Sequence, residues 1–250
     1  MENRSNQLGG TIAIKALLLV FLLSSASVMA GESLTPYNAE YKIKILILRG
    51  KLFTEVRQTE TGYMAHSVVQ PSGIAKLFVR GNVEESAWFA TNDTGVVPER
   101  YSSIDNLSSD QKVMNFQFDW DRNEVSGTIN DEQHRIELDG LVHDRVSIQY
   151  ELMLDLLNNT PADNYTLLNN DELRPIVVSN IGSKALKVPF GKFEAVGIQH
   201  STPDASRVTN LWCVEELDYL PVMIEQYRDG KLRVRAVLKH YQPIVETAAN

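Results

Sequence analysis

The sequence predicts a mainly β, single-domain protein. Its expected architecture is a strongly curved antiparallel sheet forming a closed or half-open barrel, with one helix packed across it and a signal peptide in front. Three observations carry this expectation. Apolar and polar residues alternate with a period of two along most of the chain after residue 36. The connections between the alternating runs hold only a few residues, which suits hairpins and excludes the crossovers that parallel neighbours need. A single segment, residues 146–158, departs to helical spacing.

Taken in order, residues 1–30 read as a secretory signal. Arg4 and Lys15 supply positive charge, residues 16–23 are an unbroken apolar run, and Val28-Met29-Ala30 fits a cleavage site. The run is too short for a membrane-spanning helix, which takes about 20 apolar residues, so removal of the segment and release into the periplasm are expected. Gly31 rather than Cys follows the cut, which excludes a lipid-anchored form. The domain is then expected over residues 31–250.

Residues 37–45 alternate with apolar odd positions and polar even ones, the pattern of a strand with one face on a core and one in water. The strand is expected to run on through Leu48 and to turn at Arg49-Gly50-Lys51. Runs at 52–59 and 63–70 follow across Thr61-Gly62, and a short helical turn is expected around residues 72–78. Residues 83–90 and 97–104 flank Asn92-Asp93-Thr94-Gly95. Residues 112–120 place Met114, Phe116, Phe118 and Trp120 on one face, and residues 124–129 pair back across Asp121-Arg122-Asn123. A shorter run at 134–138 precedes the helix.

In the helical segment Val146, Tyr150, Met153, Leu154 and Leu157 share one face. Asp144 stands ready as N-cap and Asn158-Asn159-Thr160-Pro161 as the stop. Residues 158–170 read as a polar loop. Strands at 175–188, 192–200, 208–215, 222–228 and 232–241 complete the set, the last two joined by Asp229-Gly230, a strong hairpin signal. So many strands in one domain must hide their edges, which a twisted antiparallel sheet achieves by curling.

The chain of 250 residues carries 24 Lys and Arg against 32 Asp and Glu, a formal charge of −8, which excludes a generally basic nucleic-acid binder. Cys213 is the single cysteine and lies in an apolar run between Trp212 and Val214, so it is expected to be a buried, inert thiol.

Chemical motifs are absent at the level of spacing. The histidines, His66, His134, His143, His200 and His240, show no metal-ligand spacing, and no nucleophile elbow, P-loop or dinucleotide fingerprint occurs. Residues 119–123 imitate the start of a calcium loop, but Glu124 stands where the sharp bend needs Gly and Asn130 where a bidentate Glu belongs. Glu84-Glu85 and Glu215-Glu216 point to opposite faces of their strands. The run Lys231-Leu232-Arg233-Val234-Arg235 has two readings: an anionic partner such as a lipid headgroup or polysaccharide, or a solvated strand face whose lysine protects an edge. The second is the plainer.

Seven pieces stand in a telling order: Tyr41; Glu85-Ser86-Ala87-Trp88-Phe89 followed by Pro98 and Tyr101; Phe118-Asp119-Trp120; Asp144-Arg145-Val146-Ser147; residues 188–195, Val-Pro-Phe-Gly-Lys-Phe-Glu-Ala; Leu211-Trp212; and residues 220–225, Leu-Pro-Val-Met-Ile-Glu. In this order and spacing they resemble the exported bacterial family of domain of unknown function 3108, across nearly the whole chain after the leader. The resemblance implies a β-rich periplasmic or envelope protein and carries over no catalytic residues.

The expected function is a non-catalytic binding module whose curled sheet accepts a lipid or other hydrophobic molecule, with Trp88, Met114, Phe116, Phe118 and Trp212 lining the pocket and no cofactor or metal. Nucleic acid and a permanent membrane span are not expected. A protein–protein scaffold of the envelope is the alternative, and a hydrolase with a dispersed site, such as His134, Asp139 and His143, the second.

Overall fold

Fifteen strands follow one another in the computed structural model, which describes residues 33–78, 80–107 and 110–245, so the expected leader at 1–30 lies outside the described residues. Strands β1 (Tyr37–Ile45), β2 (Leu48–Gln58), β3 (Tyr63–Pro71), β4 (Val83–Asn92), β5 (Gly95–Asp105), β6 (Lys112–Asp119), β7 (Glu124–Ile129) and β8 (Glu132–Glu137) form an antiparallel meander. The short β9 (Val142–His143) leads into helix α1 (Ser147–Asn158). A second meander follows: β10 (Asn164–Asn169), β11 (Glu172–Lys187), β12 (Lys192–Ser201), β13 (Arg207–Val214), β14 (Leu220–Arg228) and β15 (Lys231–Pro243). Antiparallel pairing of β1 with β15 joins the two meanders into one sheet, with β8 at one edge and β9, parallel to β10, at the other.

Chain connectivity forces this sheet to curl. Strands β8 and β9 occupy opposite edges yet are separated by residues 138–141 alone. The step from Glu137 to Val142 can reach at most about 19 Å, whereas fifteen strands laid flat would place the edges roughly 67 Å apart. The edges are therefore drawn together, and the sheet stays half open because β8 and β9 do not pair with each other. Side chains cross the seam. Lys112 Nζ donates to Asn170 Oδ1 at 2.7 Å, and His134 Nδ1 lies 3.8 Å from Asp171 Oδ2. Bulges at Glu40/Tyr41, Trp88/Phe89 and Gln226/Tyr227 add local bending.

The alternation read from the sequence becomes the core. Tyr37, Ala39, Tyr41 and Ile43 of β1 are buried in the same cluster as Met114, Phe116 and Phe118 of β6 and Tyr150, Met153 and Leu154 of α1. Tyr150 stacks on Phe89 at 5.2 Å between ring centroids. Ile148 and Leu152, on another side of the helix, pack with Ile176, Val178, Ile198, Leu211 and Cys213. The helix thus lies across the sheet and serves both halves. Its left-handed Asn159 ends it where the sequence placed the stop. The short turn expected near residue 75 is a 3-10 turn over Gly73–Leu77.

Two expectations are corrected. The first hairpin turns at Leu46 and Ile47, not at Arg49-Gly50-Lys51, since Ile45 pairs with Leu48 and Lys42 with Lys51. Gly50 is a strand residue because a Cβ there would come within 2.9 Å of the Gln70 carbonyl oxygen on β3, so the glycine marks a close strand approach and not a bend. The polar loop expected over residues 158–170 contains β10. Leu168 is its buried anchor, and Asn170 at positive φ closes the β10–β11 turn.

Candidate functional site

In an antiparallel meander alternate hairpins share an end. The turns after β1, β3, β5, β7, β10, β12 and β14 therefore lie at one end of the curled sheet. At that end, in the β10–β15 half, is a cavity of about 870 Å³. Ile148, Leu167, Ile176 and Tyr227 give it apolar wall, while Arg145, Arg174, Arg207, Arg228 and Arg233 reach it from five different segments. Five of the 13 arginines of an acidic chain thus meet in one cavity, against the single carboxylate of Asp229 among its lining residues.

Strand register sets up this concentration. Arg207 of β13 lies directly opposite Arg228 of β14, which in turn lies opposite Lys231 of β15. Like charges in directly facing positions destabilise a sheet. Arg145 and Arg174 have carboxylate partners, Glu85 and Glu172, each at 2.7 Å. Among the described residues, Arg207, Arg228 and Arg233 form no ion pair. Nearby Asp204 is held by Thr202 and Ser206, whose hydrogen bonds pull its pKa down to about 2, and it forms no ion pair with Arg207. His200, in the cavity wall, is pushed down to about 4 by burial and is neutral near pH 7.

The start of α1 forms one border of the cavity. Asp144 Oδ1 accepts from the Val146 and Ser147 amides at 2.7 and 2.9 Å, and Ser147 Oγ accepts from the Asp144 amide at 2.9 Å. This reciprocal pair is a capping box, and Asp144 is the cap that the sequence indicated. Replacing Asp144 with Ala is expected to cost about 1–2 kcal/mol in a denaturant titration. A cost near zero would contradict the capping role. Arg145, held next to the cap, bonds Tyr101 Oη through Nε and Nη2 at 3.0 and 2.7 Å, and Tyr101 Oη donates to Glu85 Oε1 at 2.6 Å. Glu85, Tyr101 and Arg145, all members of the ordered motifs in the sequence, thus meet in one network.

Further along the helix, Glu151 Oε2 accepts from the Val96 amide at 2.5 Å. Burial pushes its carboxyl up to about 7, and Gly95, at φ +117°, leaves the room: a Cβ there would sit 2.5 Å from both carboxylate oxygens. Burial also raises Asp144 to about 6 and lowers His143 to about 4.

None of the five expected lining residues borders the arginine cavity. Met114, Phe116, Phe118 and Trp212 are buried core. Trp88 is only half buried and carries the Arg100 guanidinium 3.6 Å from its ring centroid. The dispersed set does not come together through any hydrogen bond or ion pair: His134 faces Asp171, while both ring nitrogens of buried His143 lack a protein partner. Burial pushes Cys213 up to about 12, leaving it a protonated thiol. Among the described residues no three His, Cys, Asp or Glu side chains are grouped to hold a metal ion. Of the other cavity arginines, Arg145 stood in the sequence only as part of the pre-helix motif, and Arg174, Arg207 and Arg228 were missed because each lies in a different strand. The signal that existed was Arg228 and Arg233 flanking a hairpin turn.

Comparison with known proteins places the chain as follows. The family model described as protein of unknown function (DUF3108) matches residues 36–237. Among solved structures, the crystal structure of a beta-barrel-like protein of domain of unknown function DUF1849 from Brucella abortus superposes with a TM-score of 0.57 at 12% identity, covering 86% of this chain and 100% of that one. The likeness is one of fold. No curated protein matches the chain.

Proposed function

Because the chain belongs to the DUF3108 family of unknown function, its role has to be read from its own side chains, and we propose that it is an exported, non-catalytic binding module of the bacterial envelope that takes up an amphiphile with an acidic head. The supporting observation is the facing row of Arg207 and Arg228, with Arg233 of the next strand, beside an apolar wall. Such a row opposes folding, and an oxyanion seated on it turns the repulsion into charge-assisted hydrogen bonds. Arginine's planar fork suits phosphate and carboxylate in particular. Ile148, Leu167 and Ile176 then cover part of the apolar tail. Export rests on the leader features of residues 1–30.

The test uses two detergents with one tail, dodecyl phosphate and uncharged dodecyl maltoside, titrated into the protein below their micelle concentrations. Dodecyl phosphate is expected to bind at least tenfold more tightly. Exchanging Arg207, Arg228 and Arg233 for Gln together should weaken it about 1000-fold, since each of the three charged hydrogen bonds contributes about 1.5 kcal/mol, and leave folding stability unchanged or slightly raised. Equal affinity for both detergents, or no response to the triple exchange, would remove the acidic head from the proposal. Binding of neither would end the binding-module reading.

A further inference from the structure

The same end of the sheet carries a second, separate feature. The β1–β2 hairpin tip exposes Ile45, Leu46, Ile47 and Leu48, and Ile47 is 90% exposed. The 3-10 turn between β3 and β4 exposes Ile74, Leu77 and Phe78, each about three-quarters exposed. The two are neighbours, because Gly50 pairs with Pro71 and the Ser72 amide donates to the Arg49 carbonyl at 2.9 Å. Five large apolar side chains that are more than half exposed, Leu46, Ile47, Ile74, Leu77 and Phe78, therefore share this end, with Ile45 and Leu48 about a third exposed beside them, a patch that a monomeric soluble protein ordinarily avoids. Turn tips are usually polar. Leu46 even adopts φ 54°, a conformation that strains a branched side chain, while its amide is tied to the Arg233 carbonyl at 3.1 Å.

Cations outnumber carboxylates around the patch, although Lys51 is paired with Glu40 at 3.1 Å and Arg235 with Glu225 at 2.7 Å. Residues 41–54 and 71–83 contain no Asp or Glu, although the chain holds 32. They contain Lys42, Lys44, Arg49, Lys51, Lys76 and Arg80. Lys44 lies directly opposite both Arg49 and Arg235 in register. Large apolar side chains ringed by Lys and Arg match the boundary of a bilayer with anionic headgroups: the apolar groups enter the acyl edge and the cations meet phosphate. A protein partner with an apolar groove would be matched by the apolar tips alone and leaves the excess of cations, Lys42, Lys44, Arg49, Lys76 and Arg80, unused.

We propose that the Leu46-Ile47 tip and the Ile74–Phe78 turn seat this end of the protein on an anionic lipid surface. The Leu46–Arg233 hydrogen bond connects the tip to the cavity wall, so docking brings the arginine cavity to the membrane. This inference stands on the tips and their charges and holds whatever the cavity accepts.

Protein made from the full chain in its own cells is mixed with sucrose-loaded vesicles of phosphatidylethanolamine and phosphatidylglycerol, or of phosphatidylcholine alone, and sedimented. The wild type is expected to sediment at least tenfold more strongly with the anionic vesicles. Leu46→Ser/Ile47→Ser and Leu77→Ser/Phe78→Ser, on exposed side chains, are each expected to reduce that binding about tenfold while dodecyl phosphate binding in the cavity is kept. A wild type that stays in solution with both vesicles overturns the proposal. So do variants that sediment like wild type, which would assign membrane binding to another part of the chain.

Discussion

Exchanging Gly127 for alanine is expected to lower folding stability by about 3 kcal/mol or more, among the largest single-methyl effects in the molecule. Gly127 of β7 faces Phe116 of β6 in register. A Cβ at this position would stand 1.9 Å from the Asn115 carbonyl oxygen and 2.8 Å from the Phe116 Cα. Both are backbone atoms, so no rotamer change relieves the clash. Strands β6 and β7 must part, which weakens ladder hydrogen bonds worth about 1 kcal/mol each and loosens the wall holding Phe116. Because β7 carries the edge strand β8, the seam contact of His134 with Asp171 goes with it. Gly230→Ala is the control: φ is +70° but nothing lies within 4 Å, so about 1 kcal/mol of backbone strain is expected. Urea titrations of both variants decide the matter, and a Gly127→Ala protein as stable as wild type would contradict the β6–β7 register.

The second large effect depends on pH. Burial raises Glu151 to about 7 from its ordinary value near 4.5, so the folded protein binds this proton more tightly than the unfolded chain. Stability from this group is present below about pH 4.5 and is lost as pH rises through 7. A separation of this size corresponds to about 2–3 kcal/mol. Asp144, raised to about 6, acts in the same direction. His143 and His200, both lowered to about 4, act in the opposite one: their contribution is lost as pH falls from about 6.5 toward 4. The wild-type profile is therefore flattened, and Glu151 is isolated by difference. Glu151→Gln keeps an acceptor for the Val96 amide and cannot ionise. Its stability relative to wild type should improve by about 2–3 kcal/mol between pH 5 and pH 8. A difference that does not change with pH would mean the carboxyl is not desolvated against the β4–β5 turn.

Much of this architecture can be read locally. The period-two runs of residues 37–45 and 112–119 become β1 and β6 with the expected faces inward, because each side chain's burial there is decided by one sheet and one core. Asp144, Asn159 and Asp229-Gly230 act where they stand, since caps and tight turns are settled by residues within a few positions. Gly50 misled because its reason to be glycine is Gln70, twenty residues away. Of the side chains expected to line a hollow, Met114, Phe116, Phe118 and Trp212 are packed in the core, where their area is best removed from water, while Trp88 is half buried outside it. The cavity was illegible for a related reason. Arg145, Arg174, Arg207, Arg228 and Arg233 each look like an ordinary solvated charge, and only the order in which the strands pair brings them together. The apolar tip at Leu46-Ile47 was hidden inside what reads as a continuing strand.

Native mass spectrometry of the protein purified from its own cells shows whether the arginine-rimmed cavity holds an acidic amphiphile. Wild type is expected to carry a discrete added mass whose fragment ions include a phosphate- or carboxylate-bearing alkyl species, and the Arg207→Gln/Arg228→Gln/Arg233→Gln protein to fly without it. A wild type at its bare polypeptide mass, or a triple variant that retains the same adduct, would mean that these arginines hold no acidic amphiphile.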